Sequence, residues 1–173
     1  MPVESLSQVL RPALIPIESV GSWAAIEDAV GVELPDDFKV FIRVYGSGII
    51  GTFITIFNPF DRRPALNFLE QSRQHLSALS VLFDHGEEKV FDLFPSNGGL
   101  LPVGRTENGD VIHWLTRENS ADWTMVVNEA RSPSYERFRC SLTTFLEGIF
   151  DGSKLCRVFP ASIFESDRSF QSV

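Results

Sequence analysis

Apolar residues recur along this chain in two rhythms, one of three or four residues and one closer to alternation, and each predicts its own kind of element. Trp23, Ile26 and Val30 fall at i, i+3 and i+7, one stripe of a helix. Ser22 can cap its free N–H groups, and Gly31 suits the left-handed residue that ends it. Phe38, Phe41, Ile42 and Tyr45 repeat at i, i+3, i+4 and i+7 and define a second helix. It opens on Leu34-Pro35-Asp36-Asp37, with proline tolerated in a first turn and carboxylates at the positive end of the helix dipole, and Gly46 stops it. A third, longer helix is expected from a cap at Asp61 and an early Pro64 to about Phe83. Its apolar set is Leu66, Phe68, Leu69, Leu76, Leu79, Leu82 and Phe83, interrupted by Arg73. Ser141 is expected to cap a last helix carrying Leu142, Phe145, Leu146 and Ile149, which ends near Gly152.

The strand-like stretches lie between these helices. Ile49–Phe57 is rich in β-branched and aromatic residues and predicts one strand, or two joined at Gly51. Phe91–Pro95 predicts a brief strand. In Gly98–Val127, Leu100–Val103 leads into Asn108-Gly109, a dipeptide suited to a two-residue hairpin turn, and Val111–Leu115 leads out. After the polar break Arg117–Ala121, Trp123–Val127 reads as a third strand. This antiparallel meander is the expected core of the sheet. Asn128–Arg139 is polar, includes Pro133, and is expected to be a loop or edge segment.

The order helix, helix, strand, helix, strands, helix describes an α+β fold rather than a βαβ alternation. The expectation is a single domain: an antiparallel sheet of about four to six strands with helices packed around it. Residues 1–20, with Pro2, Pro12 and Pro16, read as an extended lead-in that holds at most a short turn of helix. Residues 21–152 form the domain, and residues 153–173, with Phe159, Phe164 and Phe170, form a tail packed on it.

Composition narrows the class. With 173 residues, 43% hydrophobic and 22% charged, the chain can bury a core without staples. Met1–Glu4 carries no basic residue ahead of an apolar run, so no leader is expected, and no apolar stretch is long enough for a membrane span. Cys140 and Cys156 form neither a CxxC pair nor a secreted framework, which fits a reducing cytoplasm. A net charge of −8 argues against nucleic acid and anionic membranes as partners and fits solubility or a basic protein partner.

Candidate chemistry is sparse. Gly98-Gly99 and Gly104 do not make a phosphate loop, because no GxGxxG leads from strand to helix and no Walker lysine is present. His75, His85 and His113 are dispersed without ligand spacing. His85-Gly86-Glu87-Glu88 is the nearest approach to a metal or acid–base cluster, and a charged connector accounts for it equally well. No cofactor is expected. Trp114 and Trp123 could anchor a partner, but burial in the core explains both without one. The cysteines read as quiet packing residues, and Asp110, beside Asn-Gly, as a turn residue.

Several blocks carry a family resemblance. Gly31-Val32-Glu33-Leu34-Pro35-Asp36-Asp37-Phe38-Lys39, followed by Tyr45-Gly46-Ser47-Gly48, resembles the opening of the SUKH superfamily. Gly99-Leu100-Leu101-Pro102-Val103-Gly104 with Asn108-Gly109-Asp110 and Trp114 resembles its second block. Trp123 with Val126-Val127, and Ser141-Leu142-Thr143-Thr144-Phe145-Leu146, resemble its third. Together they cover about residues 22–152. The superfamily is named partly for a fungal cell-wall-synthesis regulator and is abundant among bacterial immunity proteins. The resemblance implies a small α+β domain with no catalytic residues. Its bacterial members commonly neutralise a cognate toxin, often a nuclease or deaminase, by binding it, and members elsewhere serve as regulatory or scaffold adaptors. No functional residue is carried over from the motifs.

The acidic residues suit such a role. Glu18, Glu27, Asp28, Glu33, Asp36 and Asp37 accumulate with no Lys or Arg among them, and Asp84, Glu87, Glu88 and Asp92 form a second group offset by Lys89. Solvated helix faces explain both groups. The functional alternative makes Glu33, Asp36 and Asp37, or Asp84, Glu87 and Glu88, the patch that meets a toxin's basic surface. The leading reading is therefore a cytoplasmic immunity protein, with an adaptor second and an enzyme third.

Overall fold

The computed structural model describes residues 2–164 and 168–173. Among these residues the chain forms helices α1 (Pro2–Val9), α2 (Trp23–Val30), α3 (Asp36–Tyr45), α4 (Phe68–Asp84) and α5 (Leu142–Asp151). The strands are β1 (Gly48–Ile50), β2 (Ile54–Ile56), β3 (Leu100–Thr106), β4 (Val111–Leu115), β5 (Thr124–Asn128), β6 (Tyr135–Phe138) and β7 (Phe170–Ser172). They make one sheet in the order β6-β5-β4-β3-β2-β1-β7, with every neighbouring pair antiparallel. The fold is α+β, as expected, with one strand more than the upper end of the expected range.

The meander sits at the centre. The turn between β3 and β4 is not the two-residue type, however. Gly109 has a φ of 91°, but Asn108 is not among the residues with positive φ, so a type I′ turn is ruled out. The Gly109 N–H donates to the Thr106 carbonyl (3.0 Å) and the Thr106 N–H to the Asp110 carbonyl (2.9 Å), which makes a three-residue loop. Asp110 is buried there, accepting from the Thr106 hydroxyl (2.6 Å) and from the Ala130 N–H (3.0 Å). Its role is to hold the turn against the β5–β6 loop.

Side-chain alternation along β4 sorts the core. Ile112 and Trp114 enter the main cluster with residues from α1, α3 and α5, while Leu115 joins Leu100 and Val126 in a smaller cluster. Trp114 and Trp123 are 1% and 4% exposed, and their rings lie 5.5 Å apart. Phe38 meets Trp114 edge-on at 4.9 Å. Both tryptophans are core residues.

Four further expectations need correction. First, residues 2–9 are helical rather than extended. Pro2 occupies the first turn, where its missing N–H costs nothing, and Val3, Leu6 and Leu10 repeat at i, i+3 and i+7 and are buried. The Tyr45 hydroxyl donates to the Leu10 carbonyl at 2.9 Å, and Ser5 donates to Glu147 on α5. Second, α4 begins at Phe68 instead of near Pro64. Asn67 is its cap, accepting from the Glu70 N–H at 3.1 Å, because Asp61 is occupied by Arg63. Third, Phe91–Pro95 contributes only a single parallel bridge, Leu93 to Leu100, since its neighbours turn away. Fourth, Ser141 stands at the N-cap of α5, but its hydroxyl accepts no backbone N–H of that helix.

Of the two possibilities for Ile49–Phe57, two strands form, joined through Gly51–Phe53. The polar segment after Val127 supplies the edge strand β6. At the other edge β7 pairs with β1 and seats Phe170 against Tyr45, with ring centroids 5.3 Å apart. Residues 165–167 of the expected tail lie outside the described residues.

Candidate partner-binding surface

The first acidic group gathers around the start of α3, but it is largely occupied from within. Lys39, three residues after Asp36, places its ammonium 2.7 Å from Glu27, 3.7 Å from Asp36 and 3.9 Å from Glu33. Glu27 also accepts from the Leu34 N–H at 2.8 Å. Burial by itself would raise the Glu27 pKa, yet Lys39 and that N–H outweigh it and hold the carboxyl below its usual value. Burial works against the Lys39 charge in the same way, and the three carboxylates still raise its pKa.

Asp37 faces inward. Its carboxylate accepts from the Thr143 N–H at 2.9 Å and from the Thr143 hydroxyl at 3.0 Å, in the first turn of α5. That leaves Glu33 and Asp36, with side chains 76% and 94% exposed, on the rim of a cleft of about 330 Å³. Asn119, Trp123 and Ser141 line its other walls.

The second group has a different character. Asp84 is the last residue of α4, and Glu87 and Glu88 follow in the connector. Asp84 and Glu88 are exposed and Glu87 is half-buried. Lys89 is engaged by Asp92 at 2.7 Å and Arg73 by Glu70 at 2.5 Å. Among the described residues no Lys or Arg lies within ion-pair distance of Asp84, Glu87 or Glu88. The last turn of α4 contains no basic residue, so Asp84 adds its charge to the negative end of the helix dipole, and Glu87 and Glu88 follow it in the connector. Tyr135 registers this charge: burial raises its pKa, and Glu87 raises it further.

Among the described residues no histidine or cysteine is hydrogen-bonded to these acids. The His85 ring turns back on α4, with Nδ1 2.7 Å from the Val81 carbonyl. His75 stacks on Phe57. His113 is fully buried with no hydrogen-bond partner on either ring nitrogen among the described residues, and burial, followed by the charge of His75, lowers its pKa to about 3. Burial also raises both thiol pKa values, that of Cys156 to about 12, away from nucleophilic use. Among the described residues no three His, Cys, Asp or Glu side chains are grouped to hold a metal. No described helix is long and apolar enough to cross a membrane.

Sequence reasoning therefore named the acids but not their states. Lys39 at i+3 from Asp36 was the one local sign that the first group is neutralised. The Asp37–Thr143 bond spans 106 positions and leaves no local signal. Of the known families, SUKH_6, described as SMI1-KNR4 cell-wall, matches residues 21–146. No curated protein and no solved structure matches the chain.

Proposed function

Because the chain belongs to the SUKH superfamily, with the family match spanning well over half its length, we propose that it is an immunity protein that binds and blocks a cognate toxin. It works by occlusion, covering the toxin's working surface and making or breaking no bond itself. The compartment is the cytoplasm, where such a toxin would act on its own producer. Family membership is the observation that carries this reading. The net charge of −8 supports it, because a nuclease or deaminase needs a basic groove to hold nucleic acid, and an acidic protein is drawn to that groove.

The two acidic groups are unequal candidates for the contact. Glu33 and Asp36 share Lys39, and Asp37 is committed to α5. Asp84, Glu87 and Glu88 have no Lys or Arg within ion-pair distance among the described residues, which leaves them open to a partner's cations. The second reading, a regulatory adaptor, is favoured by the description SMI1-KNR4 cell-wall attached to the matching family.

Co-expression separates the two. The chain is produced together with the toxic product of the adjoining reading frame. Rescue of growth together with co-purification of a complex supports immunity. Absence of any toxic neighbour, or toxicity unrelieved by the chain, overturns that reading in favour of the adaptor.

A further inference from the structure

The outer face of α4 carries an apolar strip that the fold leaves uncovered. The helix packs inward through Phe68, Ser72 and Leu79, and the Ser72 hydroxyl donates to the Pro102 carbonyl at 2.8 Å. On the opposite side Gln74, Ser77, Ala78, Val81 and Leu82 line an open groove of about 650 Å³ with Arg73. Val81 and Leu82 are 52% and 45% exposed, and Val90 beyond the helix is 48% exposed. Ser77 and Ala78, both small and exposed, make the middle of the strip a low saddle where another backbone can approach closely.

This strip ends at Asp84, the last residue of α4, and Glu87 and Glu88 follow in the connector. Apolar anchors beside a charged border are the composition of a binding surface, the first supplying affinity and the second rate and selectivity. The charge also identifies the occupant. A second copy of this chain would set three unneutralised carboxylates against three more, and its single cation in the groove, Arg73, is already paired with Glu70. A segment bearing Lys or Arg relieves instead the repulsion among the acids and their conflict with the helix dipole.

We propose that the outer face of α4 is the toxin-docking surface, and that it takes an amphipathic basic segment: apolar side chains over Ala78, Val81 and Leu82, with Lys or Arg against Asp84, Glu87 and Glu88. This rests on the immunity reading and adds to it the element, the anchors and the partner's chemistry. The seating resembles other helix-in-groove contacts, in which an amphipathic segment lays its apolar face on an apolar surface.

The test measures binding of the full chain to the toxin domain encoded in the adjoining reading frame, at low and at high salt. Ala78→Arg fills the saddle and is expected to weaken binding about tenfold or more, chiefly through faster dissociation. The triple variant Asp84→Lys, Glu87→Lys, Glu88→Lys is expected to slow association about tenfold at low salt, with the gap narrowing as salt rises. Asp36→Lys is expected to bind as wild type does. Ser77→Arg serves where Ala78→Arg perturbs folding, and thermal unfolding near the wild-type temperature certifies each variant. If the wild type binds the toxin and the α4 variants bind it equally well, the surface is wrong and the immunity reading stands. If the wild type neither binds nor protects, the immunity reading fails and the surface falls with it. Concentration-dependent dimers of the isolated chain that Ala78→Arg abolishes would make the strip a homodimer seam and overturn the proposal.

Discussion

Asp37 caps a helix that begins 105 residues further along the chain: its carboxylate accepts both the backbone N–H and the hydroxyl of Thr143, a task that Ser141 leaves undone. The bond ties the start of α3 to the start of α5 and places a negative charge at the positive end of α5. Asp37→Ala is therefore expected to cost about 1–2 kcal/mol of folding free energy. Asp36→Ala, next door and exposed, is expected to change stability by no more than about 0.5 kcal/mol. Urea unfolding of the two variants checks the contrast, and equal losses would refute the cap.

Stability is expected to fall as the medium is acidified below about pH 6.5. His113 is held neutral by burial, with a folded pKa of about 3 against its usual 6.5. Between these values the unfolded chain binds a proton that the folded chain refuses, so acid favours unfolding, by at most about 1.4 kcal/mol per pH unit for one such group. His75 is shifted in the same direction by burial and by Arg105 and adds to the slope. Asp61 acts lower still, its pKa held at about 2 as Arg63 and other donors outweigh burial, so its contribution is lost only in strong acid. His113→Leu is expected to flatten the slope between pH 6.5 and 4 and to raise stability at neutral pH by about 1 kcal/mol, because two orphaned nitrogens disappear. Denaturant midpoints across that pH range give the answer.

Asp84→Lys is expected to stabilise the isolated protein by about 0.3–1 kcal/mol, since it puts a cation where the α4 dipole wants one. A gain in thermal midpoint, larger at low salt, is the readout. A loss would mean that Asp84 has an internal partner.

Cys156 is expected to resist thiol reagents in the native protein at pH 8. Burial raises its pKa to about 12, and the side chain is 1% exposed. Cys140, half-buried, should react first, and Cys156 only at the rate of opening. Colorimetric thiol titration with and without denaturant resolves the two, and immediate reaction of both would contradict this packing.

The sequence was most legible where local chemistry is sufficient. Ser22 accepts from the Ala25 N–H and Gly31 takes a φ of 86°, as the helix boundaries demanded, and the meander strands lie where the apolar runs on either side of Asn108-Gly109 and after the polar break placed them. It was least legible where partners are distant. The period of Val3, Leu6 and Leu10 was present, but three prolines in the first sixteen residues masked it. The three residues of β7 are a strand only because β1 lies beside them. The acids illustrate the same limit: composition located every one, but only three-dimensional neighbours distinguish Asp37, a cap, from Asp84, an uncompensated charge.

The family match begins after α1 and stops before β7, yet these two segments meet. Arg11 bridges Ser169, and the Arg63 guanidinium, paired with buried Asp61, holds the Val173 carbonyl at 2.7 Å. A molecule trimmed to residues 21–146 would keep the shared blocks and lose the clasp that shuts them, baring the β1 backbone and the side of Tyr45 on which Phe170 rests. Such a fragment should recruit stray strands and precipitate.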